Sequence, residues 1–155
     1  MMTYEKAIQD LNEKFGNKDN LLSLSTIALD EVNGMVRPDA RIVDAYYEDE
    51  AFYVVTHEVT GKMQQVAKNP NVAICIIVEN FTANGVAENL GWVCDKKNED
   101  IIKKLRTIFA EWYYVANNEE DKGTCILRIQ LKHGLWNDPH AGTRTSIDFE
   151  KKLVG

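Results

Sequence analysis

A group of hydroxyl, glycine and lysine residues lies near the middle of the chain. Thr56 ends an apolar segment, and Thr60, Gly61 and Lys62 follow it closely. When such residues start a helix, unpaired N–H groups and the positive end of the helix dipole attract an anion, and lysine and hydroxyl donors add to that attraction. The pattern therefore indicates an anion site, most simply one for a phosphate group.

Two other phosphate-binding patterns do not fit these residues. A P-loop requires glycine at position 56 and serine or threonine at position 63, where this chain has Thr56 and Met63. No G-x-G-x-x-G pattern is present, so a Rossmann dinucleotide site is not supported. A plain interpretation stays open, in which Thr60 caps an ordinary helix and Lys62 is solvated.

Arg41 is a second candidate for contact with an anion. It precedes the apolar residues Ile42 and Val43 in a predicted strand, where an arginine can simply face solvent. If this strand pairs with the apolar segment that ends at Thr56, the guanidinium lies near Lys62. An arginine, a lysine and two hydroxyls around a dianion form a chemically reasonable phosphate site.

These residues must be positioned by a set of short helices and strands. Helical spacing of apolar residues predicts a helix between Thr3 and Gly16, a short helix that ends at Asn69-Pro70, and a longer one that begins at Asn98. In the short helix, Met63, Val66 and Ala67 are expected to face the core. The predicted strands cover residues 21–29, 35–47, 51–56, 72–78, 86–93, 124–131 and 146–149, with Asn84-Gly85 as a turn.

The order of these elements favours an antiparallel barrel. Helices do not alternate regularly with strands, as βαβ folds require, and several strands follow one another as hairpins. The length of 155 residues predicts a single domain over residues 1–155.

Composition restricts the function classes. The net charge of −6 argues against a nucleic-acid-binding protein. We expect no membrane-spanning segment, since no apolar run approaches the necessary ~18 residues. The three cysteines contain no Cys-x-x-Cys pair, and no signal peptide is recognisable, so we expect a cytoplasmic protein. The three histidines have no ligand partners at metal-site spacing, and we expect no metal.

Residues 35–78 resemble the core of the pyridoxamine 5'-phosphate oxidase-like FMN-binding split barrels, especially the general-stress-protein branch. The shared pattern is Arg-x-Val in one strand, an apolar strand that ends in threonine, Thr-x-Lys, a short helix, Asn-Pro and another apolar strand. The resemblance implies a mainly β fold, a six-stranded antiparallel split barrel with flanking helices. It also implies a homodimer with FMN at the subunit interface.

The resemblance assigns roles to individual residues. Arg41, Thr60 and Lys62 match positions that hold the FMN phosphate, with Gly61 between the last two. Val43, Val55 and Thr56 match positions that line the isoalloxazine ring or the ribityl chain, partly through backbone groups. Asn80 is the best match for a contact from the second subunit.

The implied function is that of an FMN-binding flavoprotein, an oxidoreductase with an unassigned substrate. The alternative is a non-catalytic flavin- or haem-binding module with a sensing or stress role. Gly61 replaces an arginine common in the family, and the ending TSIDFEKKLVG carries no arginine-rich segment like that of the oxidase. We therefore do not expect a true pyridoxamine-phosphate oxidase, and no residue is assigned as catalytic.

Overall fold

The computed structural model describes all 155 residues as four α-helices, one 3-10 turn and eight strands. The helices are α1 (Tyr4–Phe15), α2 (Gly61–Lys68), α3 (Glu99–Ile108) and α4 (Tyr113–Ala116), and the 3-10 turn covers Lys96–Asn98. The strands are β1 (Asn20–Val32), β2 (Met35–Glu48), β3 (Ala51–His57), β4 (Asn71–Ile76), β5 (Phe81–Trp92), β6 (Thr124–Asp138), β7 (Thr143–Asp148) and β8 (Leu153–Val154).

Six antiparallel strands close into a barrel. The order is β3-β2-β1-β4-β5-β6, and β3 pairs with β6 from Ala51↔Gln130 to His57↔Thr124 to complete the ring. The strands β7 and β8 extend the sheet beyond β6. Pairing is short between β2 and β3 (residues 46–48 of β2) and between β1 and β4 (residues 23–25 of β1), so the barrel is split along these seams. The prediction of a six-stranded antiparallel split barrel is confirmed.

Local sequence signals set the limits of α1 and α2. The Thr3 side chain accepts a hydrogen bond from the Lys6 N–H at 3.1 Å, and the Gly16 N–H closes the last turn of α1. Asn69 ends α2, and Pro70 cannot continue it. Both helices were predicted with these ends.

Two hydrophobic clusters lie on opposite sides of the barrel wall. The larger one fills the barrel and receives Leu11 and Phe15 from α1 and Met63 and Val66 from α2. The smaller one lies outside the wall, beneath α3 and the start of α4. Its buried members are Tyr46, Val55, Val93, Ile102, Leu105, Phe109, Tyr113 and Ile126.

The predicted turn at Asn84-Gly85 is wrong. The chain turns earlier, at residues 77–80, where Asn80 has a φ of +50°, and β5 then runs through Asn84 and Gly85 without a break. The register against β6 shifts between these two residues, because β6 has one extra residue, Lys132, in a bulge opposite them. The reason is steric, because the buried Gly85 lies against the backbone of Gln130, where a side chain has no room.

Other boundaries differ less. The third helix was expected to carry Trp112, but α3 ends at Ile108, and the chain turns before α4. β6 extends to Asp138 because its second half pairs with β5 and β7. No helix is long and apolar enough to cross a membrane.

The bulge at Gly85 yields a stability prediction. In Gly85→Ala, the new Cβ overlaps the Gln130 carbonyl oxygen, and we expect the free energy of unfolding to fall by about 1–3 kcal/mol. Gly61→Ala is the matched control, because nothing lies within 4 Å of its Cβ and its φ is not positive. That variant should change stability by less than about 1 kcal/mol. Urea unfolding measures both, and equal effects of the two substitutions would contradict this assignment of the bulge.

Candidate functional site

The start of α2 lacks the side-chain cap that usually satisfies a helix N-terminus. Thr60 occupies the N-cap position, but its hydroxyl donates to the His57 carbonyl at 2.8 Å and accepts no bond from the first turn. The first turn of the helix also contains no acidic residue. The N–H groups of this turn and their positive dipole therefore stay available to an anion.

Lys62, in the first turn of α2, is half-buried rather than solvated. Burial lowers the pKa of its ammonium group, and the nearby positive charge of Arg41 lowers this pKa further. The lysines in ion pairs with carboxylates are Lys6, Lys14, Lys103, Lys104 and Lys132, and Lys62 is not among them. Its other titratable neighbour is Cys125, but burial raises the pKa of that thiol to about 11, so the thiol is neutral near pH 7.

Arg41 reaches α2 from the inner side of β2. Along this strand the alternate residues Val43, Ala45 and Tyr47 enter the barrel core, and half-buried Arg41 continues their row. Its guanidinium donates to the Thr26 hydroxyl on β1 and to Gln65 Oε1 on α2, the latter at 3.0 Å. We expected β2 to bring Arg41 to this region by pairing with β3, but that pairing covers only residues 46–48 of β2. Arg41 instead reaches Lys62 through β1 and α2.

The loop between β3 and α2 is held by a histidine to which no role could be assigned from the sequence. His57 Nε2 lies 2.9 Å from Asp121 Oδ2, and its Nδ1 accepts the Val59 N–H at 3.2 Å. The Gly123 N–H and the His57 ring together lower the pKa of Asp121. This pair fastens the loop that carries Thr60 to the loop that precedes β6.

The residues matched to the flavin ring and ribityl chain divide between the two sides of the barrel wall. Val43 and Thr56 are buried, and Val43 belongs to the core inside the barrel. The side chain of Val55 lies on the opposite face of β3, in the cluster beneath α3. Val55 can therefore face the same region as Thr56 only through its backbone.

Asn80 lies far from Lys62 within one chain. Its carbonyl accepts the Asn137 N–H at 3.2 Å, near the far end of β6, whereas Lys62 lies near Cys125 at the start of that strand. Residues 125 and 137 are separated by at most roughly 40 Å along an extended strand, so Asn80 and Lys62 lie near opposite ends of β6. A contact of Asn80 with a ligand held at Lys62 is therefore expected from the Asn80 of a second copy.

A wide groove lies elsewhere, on the outer face of the sheet. It has a volume of about 810 Å³ and is lined mainly by small and polar residues of β1, β4, β5, β6 and β7. Cys75 and Ser25 belong to this lining, whereas Arg41 and Lys62 do not. Leu21 and Ile42, which lie on neighbouring strands, are 63% and 59% exposed. This face therefore combines a groove of small and polar residues with exposed aliphatic side chains beside it.

Two features of the structure, a cluster of possible metal ligands and a buried glutamine, could not be predicted from the spacing of residues in the sequence. His133, Asp148 and Glu150 place one possible ligand atom each within 4.8 Å of one another, although Glu150 also forms an ion pair with Lys132 at 3.2 Å.

Gln65, rather than the predicted Ala67, faces the core from α2. A glutamine in an amphipathic helix gives no local signal of burial, since its partners come from distant strands.

Comparison with known proteins supports the fold. No family model and no curated protein sequence matches the chain. Among solved structures, general stress protein 26 from Bacillus anthracis superposes with a TM-score of 0.61 at 17% identity, over 83% of this chain and 92% of that one.

Two further solved structures are similar. A pyridoxamine 5'-phosphate oxidase-related, FMN-binding protein from Nostoc punctiforme has a TM-score of 0.60 at 14% identity, over 100% of this chain and 95% of that one. The haem storage protein HutZ from Vibrio cholerae has a TM-score of 0.60 at 17% identity, over 84% and 92%. The chain therefore has the split-barrel fold of general stress protein 26 and the pyridoxamine 5'-phosphate oxidase-like FMN-binding proteins.

Proposed function

We propose that the chain binds FMN and that Arg41, Thr60 and Lys62 hold the phosphate group at the start of α2, with the Thr60 hydroxyl turning from the His57 carbonyl to the phosphate when FMN binds. The first-turn N–H groups would add hydrogen bonds, and Gly61 leaves open space beside them. Val43, Thr56 and the backbone of Val55 would border the ribityl chain and ring. Arg41 supplies a planar group of donors and Lys62 a flexible point charge, a combination suited to a phosphate dianion.

The observation that carries this proposal is the unpaired charge at Lys62. Two cationic side chains lie close enough for one to depress the pKa of the other, and Lys62 has no carboxylate partner. Placing a charge in a half-buried position is unfavourable unless an opposite charge compensates it. A phosphate between these groups would provide that compensation, which favours a phosphate ligand such as FMN over the plain interpretation of a solvated lysine.

We further propose that the protein is an FMN-dependent oxidoreductase. Bound FMN supplies the redox chemistry, while the chain supplies binding and orientation. The fold is also found in a haem storage protein, so a non-catalytic flavin- or haem-binding module is the competing proposal. The Arg41–Lys62 pair favours FMN, because it concentrates charge at one point, as a single phosphate requires.

A homodimer would complete the site. The groove face exposes Leu21 and Ile42, and Asn80 can meet a ligand at Lys62 only from a second copy. We propose a two-fold interface through this face, of the obligate kind that buries above about 2,000 Å². Each copy would then offer Asn80 to the other copy's phosphate site.

The dimer proposal makes a prediction about charge on the groove face. Ile42 and Cys75 both pair with Ser23, so Ile42 lies beside the groove. Ile42→Asp should convert a micromolar dimer to monomer, because it buries an unpaired carboxylate in the interface. Val115→Asp is the matched control on α4, where Val115 is 91% exposed. Sedimentation velocity measures all three proteins, and a monomeric wild type in the presence of FMN would refute the dimer.

Removal of the lysine charge tests the phosphate assignment. Hydrogen bonds to charged groups contribute about 1.5–3 kcal/mol, so Lys62→Ala should weaken FMN binding roughly ten- to a hundredfold. Riboflavin, which lacks the phosphate, should bind both proteins with similar, weak affinity. Lys68→Ala is the control, because Lys68 is an exposed lysine of the same helix. Flavin-fluorescence titrations give the dissociation constants, and an FMN affinity unchanged in Lys62→Ala restores the plain interpretation.

The depressed pKa of Lys62 predicts how FMN binding depends on pH. A phosphate dianion favours the ammonium form and so raises the pKa of Lys62, which means that FMN and the proton bind cooperatively. Above the pKa that Lys62 has in the FMN-free protein, FMN affinity should fall as pH rises, by up to about tenfold per pH unit. Lys62→Arg should lose this dependence, because a guanidinium stays charged. The affinities of wild type and Lys62→Arg for FMN are measured between pH 7 and 10, and the corresponding riboflavin affinities are subtracted. An identical pH dependence in the two proteins would contradict the prediction.

A further inference from the structure

Arg41 differs from three other arginines of the chain in the charge of its partners. Arg37, Arg106 and Arg128 each lie within 4.0 Å of a carboxylate. The Arg41 guanidinium instead contacts neutral oxygens only. These are the Thr26 hydroxyl, Gln65 Oε1 at 3.0 Å and the backbone carbonyls of Leu24 and Asp39 at 3.4 Å. The positive charge of Arg41 is therefore held in position without a direct ion pair, although the guanidinium is near enough to Asp39 to lower the pKa of that carboxyl.

Gln65 is the residue that makes this arrangement possible. It is buried, with 9% of its surface exposed, and its Oε1 accepts from both Arg41 and Thr26. Its Nε2 donates to Asp39 Oδ2 at 2.8 Å. The reverse orientation of the amide would place N–H groups against the guanidinium and an oxygen against the carboxylate. The two neighbours therefore determine the orientation of the amide.

Asp39 is the carboxylate that could otherwise neutralise Arg41. One of its oxygens lies 2.5 Å from Arg37, and the other accepts from Gln65. The hydrogen bond from Gln65 is the largest cause of the lowered pKa of Asp39, ahead of the charge of Arg37. Arg41 contacts only the backbone carbonyl of Asp39. The Gln65 amide thus lies between the guanidinium and the carboxylate.

We infer that Gln65 is a positioning residue that sets the charge of the phosphate site. Its neutral Oε1 accepts a hydrogen bond from the Arg41 guanidinium and holds it beside Lys62. Its Nε2 donates a hydrogen bond to the Asp39 carboxylate. As a result, the site presents two cations to its ligand and selects a phosphate dianion over an uncharged ligand. This inference rests on the proposed binding of FMN and adds the residue that confers selectivity for the phosphate.

The test is a pair of isosteric substitutions at adjacent positions. Gln65→Glu keeps the shape of the side chain but puts a negative charge on Arg41 and beside the ligand phosphate. Gln64→Glu makes the same change of charge in the same helix, but Gln64 is exposed and donates only to the Val59 carbonyl at 2.8 Å. Fluorescence titrations with FMN and with riboflavin, together with thermal unfolding, compare both variants with wild type.

We expect Gln65→Glu to weaken FMN at least tenfold and to change riboflavin binding by less than twofold. Gln64→Glu should weaken FMN by less than threefold. Equal effects of the two variants on FMN would overturn the role of Gln65. Equal weakening of FMN and riboflavin by Gln65→Glu would also overturn it, because such a result indicates a structural role alone.

A second variant covers the case in which Gln65→Glu does not fold. Gln65→Met removes the acceptor for Arg41 without adding charge, so FMN should weaken three- to tenfold while riboflavin is unaffected. An unchanged FMN affinity in Gln65→Met would overturn the inference. A wild-type protein that does not prefer FMN to riboflavin contradicts the proposed function itself. Tight, phosphate-dependent binding by wild type with no effect at Gln65 removes only the inference about Gln65.

Discussion

The candidate site depends on two positive charges that are held close together in a half-buried position. The field of Arg41 lowers the pKa of Lys62, and no carboxylate lies close enough to Lys62 to offset that repulsion. Such an arrangement is unfavourable for the isolated chain, so the surrounding structure must maintain it. Binding of an anion between Arg41 and Lys62 makes the arrangement favourable, because each cation then gains a partner of opposite charge.

Several elements of the fold maintain this arrangement. Closure of the barrel brings the start of β6, with the neutral thiol of Cys125, next to the loop that precedes α2. The His57–Asp121 pair fastens that loop, and Thr60 bends back to His57 instead of capping the helix. On the other side, the hydrogen bonds of Gln65 and Thr26 hold Arg41 in place. The pairing of β3 with β6, the His57–Asp121 pair and the buried Gln65 amide thus together position the residues around Arg41 and Lys62.

The sequence predicts those features that depend on neighbouring residues. Thr3, Gly16 and Asn69-Pro70 act within one helical turn, so the ends of α1 and α2 could be placed correctly. Lys62 and the hydroxyl of Thr60 were recognisable for the same reason, since a helix start is a local event. Arg41 was recognised as a candidate from its place in a predicted strand, although its route to α2 was misjudged because the length of the β2–β3 ladder cannot be predicted from either strand alone.

Features that depend on distant residues could not be predicted. Asn84-Gly85 suits a hairpin turn as well as a bulge, and the backbone of Gln130 on β6 decides between them. Gln65 is buried because Thr26, Asp39 and Arg41 offer it partners from two other elements. Asn80 can contribute to the proposed FMN site only in a dimer, where it reaches the site of the other copy. Each of these features is set by strand register and tertiary packing rather than by the local pattern of residue types.

Binding of FMN in preference to haem can be measured by the absorbance spectrum of the protein after incubation with equal amounts of both ligands and removal of free ligand. We expect flavin bands at one FMN per chain, no haem Soret band, and bleaching of the flavin bands when NADH or NADPH is added. Flavin bands that persist after this addition would contradict the oxidoreductase role while leaving FMN binding intact. A Soret band without flavin bands, or a colourless protein, would contradict the assignment of Arg41 and Lys62 to an FMN phosphate.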